Sequence, residues 1–555
     1  MSDELVFLPL GGSGEIGMNL NLYAFGPPSK RQWIMIDCGV TFAGDEHPGI
    51  DLITPDPEYL LDELDEGGEL LALILTHGHE DHIGAVAHLW PSFPCPIYAT
   101  PFTAELVRRK FVEVGIQDAP IHTMDLGSSM NVGPFGVEFI TLTHSIPEPN
   151  ALALRTPMGT ILHTGDFKID PRPVLGEETD RRKLRALGEE GVLAMVCDST
   201  NVFSEGVSGS ESDVAETLAQ IISEQTGRIA VTTFASNVSR LVSVCRAAMK
   251  ADRSVCLLGR SMLRMIDVAR HVGLLPSGVS FVEPSDAGYL PNDKVLYLCT
   301  GSQGEERAAL ARIARDDHPE LTLDEGDTVI FSSKIIPGNE RPIFELMNQL
   351  TENGIQVITE SDAYIHVSGH PCRDELKDMY GMVKPDLAIP VHGEARHLAE
   401  HGAFAPTIGA KTSLVPKNGD LIRIAPGPAK VIDEVPSGRL YLDGSILLND
   451  GDAALRERRR LSEEGIICVS VAFDKNGRRQ DRHLVHLKGI PQEDDDGENL
   501  HALIDEAVDE ALDAMPRPKR RDDREVELFV RRAIRSELMP RWGKRSDIVV
   551  LIMRV

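Results

Sequence analysis

The chain of 555 residues is too long for one ordinary hydrophobic core, so two to four domains are expected. Hydrophobic residues at 42% and charged residues at 26% describe a folded globular protein, and neither a membrane span nor a signal peptide is legible, so a cytoplasmic protein is expected. A formal net charge of −30 excludes a general nucleic-acid coat, which draws on clustered Lys and Arg, although a local basic channel remains compatible with it.

From Leu5 to about Val202, short apolar strands alternate with Gly turns and modest helices, as in a layered α/β protein. Within this stretch the apolar run from Leu71 to Leu75 leads into Thr76-His77-Gly78-His79-Glu80-Asp81-His82. That run holds four transition-metal ligands in six positions, on a rigid strand end. Imidazole and carboxylate together suit zinc or a similar divalent ion at a catalytic site. His77 and His79 can converge on one ion while Asp81 and His82 reach a second. Further candidates follow later strand-like runs: His144 after Val137 to Thr143, Asp166 after Thr160 to Gly165, and His392 after Leu387 to Val391. A two-metal site needs such additional ligands and usually a bridging carboxylate.

Between about Ser210 and Thr359, strands such as Arg228 to Thr233, Ser254 to Leu258, Val295 to Cys299 and Thr328 to Phe331 alternate with helix-like stretches. Strand and helix in turn imply a parallel sheet. Because His392 returns to the metal site afterwards, this unit reads as an insertion. A Pro/Gly-containing stretch and a charged helix bearing Arg456, Arg458, Arg459 and Arg460 read as a linker, and a small α+β domain follows. The acidic run from Glu493 to Glu498 and the basic run from Arg517 to Arg521 read as solvated surface, and the latter can also touch nucleic acid. The eight cysteines lack CxxC spacing; Cys197, Cys245, Cys256 and Cys299 sit in apolar runs, so disulfides are not expected.

The set from His77 to His82 with His144, Asp166 and His392 resembles the metallo-β-lactamase superfamily. The resemblance implies one ion on His77, His79 and His144, another on Asp81, His82 and His392, and Asp166 shared. Asp37 matches an early aspartate expected to orient the cluster rather than ligate. The insertion resembles the β-CASP group of nucleases, with Asp198, His370 and His392 in its motif positions. Gly11 to Gly17, Thr164 to Asp170, Phe234 to Asn237 and Pro337 to Glu340 are similar to the ribonuclease J family, and the terminal α+β domain fits it too. One departure is Pro371, where a small residue such as Ala is expected; the motif histidines are intact.

The fold so implied is α/β: a metallo-β-lactamase αββα sandwich with an inserted Rossmann-like β-CASP domain and a small C-terminal α+β domain. Expected boundaries are 1–208 and 363–435 for the two parts of the first domain, 209–362 for the insertion, 436–464 for a linker and 465–555 for an oligomerisation domain. The family implies RNA as substrate, 5′→3′ exonucleolysis from 5′-monophosphorylated ends with some endonucleolytic cutting, a role in RNA maturation and mRNA decay, a homodimer or homotetramer, and partners in RNA degradation. Asp81, Asp166, Asp198 and His370 are the candidate catalytic residues. His370 either protonates the leaving 3′-oxygen or binds the phosphate. Asp198 either orients a histidine such as His370 or caps its strand end.

Ser368, Gly369 and the nearby backbone form a turn-like segment suited to a phosphate, and the family resemblance implies that His366, Val367, Ser368, Gly369 and His370 bind a nucleotide phosphate. Ser236 and Asn237, just before a helix, match the pocket for the RNA 5′-monophosphate, with plain N-capping as the alternative. The ligand set accepts Zn2+ first, and Mn2+ or Mg2+ as well. The rival readings are a DNA-cutting β-CASP nuclease, a small-molecule hydrolase of the superfamily, and a non-catalytic scaffold subunit; the last usually loses ligands, and this chain keeps all seven.

Overall fold

A strand buried on both faces alternates its side chains between two cores, and Ala194–Asp198 does so: Ala194 and Val196 join one apolar cluster, Met195 and Cys197 another. The first cluster lies between two sheets. In the computed structural model, which describes residues 2–276 and 278–555, the eight-stranded sheet runs Lys430–Glu434, Asp420–Ala425, Glu4–Gly11, Leu20–Gly26, Gln32–Ile36, Glu69–Ile74, Ile97–Ala99, Ile121–Thr123. The seven-stranded sheet runs Ser129–Val132, Phe135–Thr141, Asn150–Thr156, Gly159–His163, Ala194–Asp198, Leu387–Val391, Thr412–Ser413. Leu5, Phe7, Ile34 and Ile74 of the first sheet meet Phe139, Leu154, Val196 and Ile389 of the second. The outer face of the second sheet is covered by helices Arg181–Glu190 and Arg373–Val383, whose Leu184, Leu187, Leu376 and Met379 fill the second cluster. This is the expected αββα sandwich.

In the sandwich, all but one of the strands that lead to candidate site residues pair in parallel in two sets, Gln32–Ile36 with Glu69–Ile74 and Gly159–His163 with Ala194–Asp198 and Leu387–Val391; Phe135–Thr141, before His144, pairs antiparallel. Within each set the carboxyl ends therefore open on the same edge.

Between Ala194–Asp198 and Leu387–Val391 the chain builds a third, six-stranded sheet, with strands Phe281–Val282, Ser254–Leu258, Val295–Cys299, Ile229–Thr232, Thr328–Phe331 and Gln356–Ile358 side by side. Its strands all pair in parallel. Helix Glu211–Glu224 packs Val214, Leu218 and Ile222 on one face, and Glu340–Glu352 packs Ile343, Leu346 and Leu350 on the other. The doubly wound insertion is thus present, but numbered along the chain its strands lie in the order 3-2-4-1-5-6, not the 3-2-1-4-5-6 of dinucleotide-binding folds. Periodicity marks strands; strand order is decided by which helices close over them.

Residues 1–41 and 54–439 form one compact unit, and 42–53 with 440–555 form a second. In the second unit, Leu484–Lys488, Ile466–Phe473 and Asp547–Arg554 make a three-stranded sheet under helices Leu500–Ala514 and Asp523–Trp542. The stretch read from sequence as a linker is ordered secondary structure. Arg439–Asp443 and Ile446–Asn449 pair as a hairpin closed by the two residues Gly444 and Ser445, and Ala453–Glu464 is a helix capped by the Asp452 side chain. Asp-Gly between short apolar runs is a hairpin signal, and Arg439–Asp443 finds its other neighbour far upstream in Leu52–Pro55, beyond which Thr41–Phe42 completes the sheet. No local pattern announces such a distant pairing. All eight cysteines are free, and no helix among the described residues is long and apolar enough to cross a membrane.

Candidate active site

Each candidate ligand stands just beyond a strand end: His77 and His79 after Glu69–Ile74, His144 after Phe135–Thr141, Asp166 after Gly159–His163, and His392 after Leu387–Val391. Asp81 and His82 lie on the short helix Glu80–Ile83, which starts where that first strand's loop ends. The fold gathers all seven into two quartets that share Asp166: His77, His79 and His144 with Asp166, and Asp81, His82 and His392 with Asp166. In the first, His79 Nδ1 lies 3.1 Å from both His77 Nε2 and His144 Nε2. In the second, Asp166 Oδ2 lies 3.2 Å from His82 Nε2 and 3.3 Å from His392 Nε2, and Asp81 Oδ2 lies 3.5 Å and 3.6 Å from the same two nitrogens.

Hydrogen bonds on the far side of each ring decide what the inner nitrogens can offer. The Thr76 hydroxyl donates its proton to Asp37 Oδ2 at 2.8 Å, so towards His77 Nδ1, at 3.0 Å, it must accept. His77 Nε2 is therefore a bare lone pair. His144 Nδ1 donates to the Gly369 carbonyl at 2.5 Å, which leaves His144 Nε2 bare as well. Two lone pairs face His79 Nδ1, and a single proton there could bridge only one of them. Burial, reinforced by neighbouring rings, holds His77 and His144 well below the usual histidine range and His79 at about 4, so protons do not fill the gap. A cation satisfies all three donors together. Ligands at about 2.0–2.1 Å from a tetrahedral ion lie about 3.3–3.4 Å apart, near the separations observed.

The second quartet carries more negative charge. Burial opposes ionisation of His82, but Asp166, Asp81 and Asp37 outweigh it and raise its pKa well above the usual value. Asp166 stays ionised despite burial because His392 and His82 surround it. Without a metal, a proton on His82 supplies the positive charge this site demands; a divalent ion supplies more of it. The donor set thus fits two hard or borderline divalent cations.

Asp37 accepts from Thr76 N at 2.8 Å and from His82 Nδ1 at 2.7 Å, the outer-shell contact that fixes a ligand's tautomer. Asp37 and His392 both adopt left-handed backbone, with φ of 61° and 53°, a strained conformation that packing must hold. Asn19 was not legible as a site residue, yet its amide contacts His82 Nε2 at 3.1 Å and His392 Nδ1 at 3.0 Å. Nothing in Met18-Asn19-Leu20 distinguishes it from a strand-edge polar residue. Gly39 is required by close approach, since an added Cβ would sit 1.7 Å from Asp81 O and 2.6 Å from His82 N. Gly39→Ala is expected to displace the second quartet, lowering bound metal measured by elemental analysis and cutting activity about 10²-fold, as a 1 Å misplacement does.

A third grouping joins Asp166, Asp198 and His370. Asp198 performs both roles its sequence left open: Oδ1 accepts from Thr200 N and Oγ1 at 2.8 Å, and Oδ2 accepts from His370 Nδ1 at 2.8 Å. Burial works against charge on His370, but Asp198 and then Asp166 prevail and raise its pKa to about 9. Ser368 Oγ accepts from Asn201 Nδ2 at 2.7 Å and from His370 N at 3.2 Å, which leaves its own O–H to donate. Gly369 passes so close to the metal cluster that an added Cβ would lie 2.7 Å from His144 Cε1. Val367 is buried in the core of the insertion, so it serves packing and offers only its backbone. His366 is kept neutral by burial and by Arg240, with a pKa of about 3, and its Nδ1 has no hydrogen-bond partner among the described residues.

Ser236 is half-buried at the loop leaving Ile229–Thr232. The assignment of Asn237 to substrate needs correction. Its Oδ1 caps helix Val238–Lys250 by accepting from Arg240 N at 2.9 Å, and its Nδ2 donates to Glu211 at 3.1 Å. The side chain points inward, so of the two readings the capping one holds.

Residues 226–350 match the model for the ribonuclease J β-CASP domain, 453–555 the ribonuclease J C-terminal domain, 32–184 the β-lactamase superfamily domain, and 354–407 the Zn-dependent metallo-hydrolase RNA specificity domain. The chain is 50% identical to ribonuclease J of Sinorhizobium meliloti over 555 residues, covering 100% of this chain and 98% of that protein. It is 36% identical to ribonuclease J of Mycolicibacterium smegmatis, covering 98% and 96%, and 36% identical to that of Corynebacterium glutamicum, covering 98% and 74%. A crystal structure of a protein of unknown function from Enterococcus faecalis covers 76% of this chain and 100% of its own with a TM-score of 0.53 at 15% identity, a likeness of fold alone. Identity of this order, sustained from one end of the chain to the other and through all four matched segments, makes it a member of the ribonuclease J family of metal-dependent ribonucleases.

Proposed function

We propose that the chain hydrolyses RNA phosphodiester bonds to leave 5′-phosphate and 3′-hydroxyl ends, proceeding 5′→3′ from 5′-monophosphorylated termini and also cutting internally. Its setting would be cytoplasmic RNA maturation and mRNA decay, as a dimer or tetramer built through the C-terminal domain and in company with other degradation proteins. The observation that carries this reading is the pair of quartets joined through Asp166, with the outer nitrogens of His77, His82 and His144 committed elsewhere. His77, His79, His144 and Asp166 would hold one divalent ion, and Asp81, His82, His392 and Asp166 the other, zinc ahead of manganese or magnesium. Such a pair, when bound, supplies an activated water and neutralises charge on the phosphoryl group.

The chain's own groups do the rest. Asp198 holds the His370 ring by Nδ1, so Nε2 is the nitrogen that faces substrate and can deliver a proton to the leaving 3′-oxygen. Ser368 O–H with the neighbouring backbone, together with Ser236 and His366, forms the seat for the terminal 5′-phosphate. A phosphate seat spaced one nucleotide from the metals makes release of single nucleotides the natural step.

The test is digestion of 5′-monophosphorylated and 5′-triphosphorylated RNA with product lengths resolved. Wild type should release mononucleotides and prefer the monophosphate. Ser236→Ala and Ser368→Ala should each raise KM for the monophosphate about tenfold or more, from the 1.5–3 kcal/mol of a hydrogen bond to a charged group. Unchanged discrimination in both variants would remove the pocket assignment. Cleavage of DNA of the same sequence at an equal rate would favour the DNA-processing reading instead.

A further inference from the structure

A buried set of charges lies directly beneath the proposed phosphate pocket and takes no part in the chemistry described so far. Arg240 is fully buried, and Glu211, Lys168 and Asp170 are nearly so. Every nitrogen of the Arg240 guanidinium is engaged. Nε and Nη2 donate to the two Glu211 oxygens at 3.0 and 2.9 Å, while Nη1 donates to Ser332 O, Ser332 Oγ and Ile365 O at 2.8, 2.7 and 2.9 Å. Its backbone N–H binds the Asn237 cap, whose amide returns to Glu211. Glu211 N in turn donates to Asp170 Oδ2 at 2.9 Å, and Lys168 Nζ lies 3.2 Å from the same carboxylate oxygen.

One side chain thereby ties four segments: the helix that follows Ser236, the end of strand Thr328–Phe331, the segment opening at Ile365 that carries His366 and Ser368, and, through Glu211 and Asp170, the loop that begins at Asp166. Lysine could reach one set of these acceptors but lacks the rigid fork that spans both. A buried ion pair is weak as a source of stability, since apolar residues of similar size often serve as well. What this pair adds is geometry. We infer that Arg240 is the positioning residue of the 5′-phosphate pocket, setting from within the separation between the Ser236 loop and the His366 to His370 segment. The inference rests on the pocket reading above.

The experiment compares wild type, Arg240→Lys, the double variant Glu211→Met/Arg240→Met, which leaves no unpaired buried charge, and Ser368→Ala. Each is assayed on 5′-monophosphorylated RNA, on the same RNA with a 5′-hydroxyl, and on a circular RNA that has no 5′ end. For both Arg240 variants, KM on the monophosphorylated RNA should rise at least tenfold and the preference over 5′-hydroxyl RNA should fall by the same factor. Cutting of the circle should stay within threefold of wild type. Preference retained within twofold, or circle cutting lost in parallel, overturns the inference, the second because it marks a general structural role. Ser368→Ala separates the two readings. If it abolishes the preference while the Arg240 variants keep it, this inference alone falls; if it leaves the preference intact, the pocket reading falls and takes the inference with it.

Discussion

Asp166→Asn protein is expected to lose at least about 10⁴-fold in kcat, equivalent to about 5 kcal/mol of transition-state stabilisation, and to retain fewer than two divalent ions per chain. The reason is positional. Oδ2 of this one carboxylate lies 3.2–3.3 Å from His82 and His392 on one side and 3.8–3.9 Å from His77 and His144 on the other. Asparagine preserves the shape but removes the charge that both quartets share, and five of the six other members are imidazoles, which contribute no negative charge. Elemental analysis after desalting counts the metal, and single-turnover cleavage of labelled RNA measures the rate. Full metal content together with wild-type kcat would sink the shared-carboxylate arrangement. Partial metal retention with lost activity would still agree with it, because the proposed reaction uses both ions at once.

His370→Ala is expected to behave differently, lowering kcat about 10²–10⁴-fold, the range for loss of a positioned general acid, while metal content stays at the wild-type value. His370 belongs to neither quartet; its Nδ1 is held by Asp198 at 2.8 Å and lies 3.8 Å from Asp166. Asp198→Asn should follow in the same direction with a smaller loss, since an amide can still contact the ring but no longer fixes its protonated nitrogen by charge. A restored rate for His370→Ala on an RNA with an activated 3′ leaving group would assign the proton-donating role. A persistent deficit, with raised KM, would assign phosphate binding instead.

The contrast between Asp37 and Asn19 shows where sequence reading stops. Asp37 matches an early aspartate of the superfamily that the sequence resembles, so a contact orienting the cluster, such as the one it makes with His82, was expected. Asn19 performs a comparable task for His82 and His392, but it arrives from a strand 373 residues away from the second of these, and no spacing rule covers that distance. Asn237 shows the converse. Its position before a helix allowed both an anion-binding and a capping role, and only the inward rotamer towards Glu211 separates them.

What the sequence by itself determined is the chemistry and the layer structure. Ligand type, strand-end placement and apolar periodicity are local properties, and they sufficed for the candidate ligands and the parallel insertion, while the αββα sandwich was implied by the family resemblance. What only the tertiary structure decided are the relations between distant segments: the Asn19 contacts with His82 and His392, the strand order 3-2-4-1-5-6, the hairpin at Arg439–Asp443 that lies beside residues near position 50, and the Arg240 fork near the proposed phosphate pocket. Each depends on which segments pack together after burial of their apolar faces. That burial is non-directional and leaves no mark on neighbouring residues in the chain.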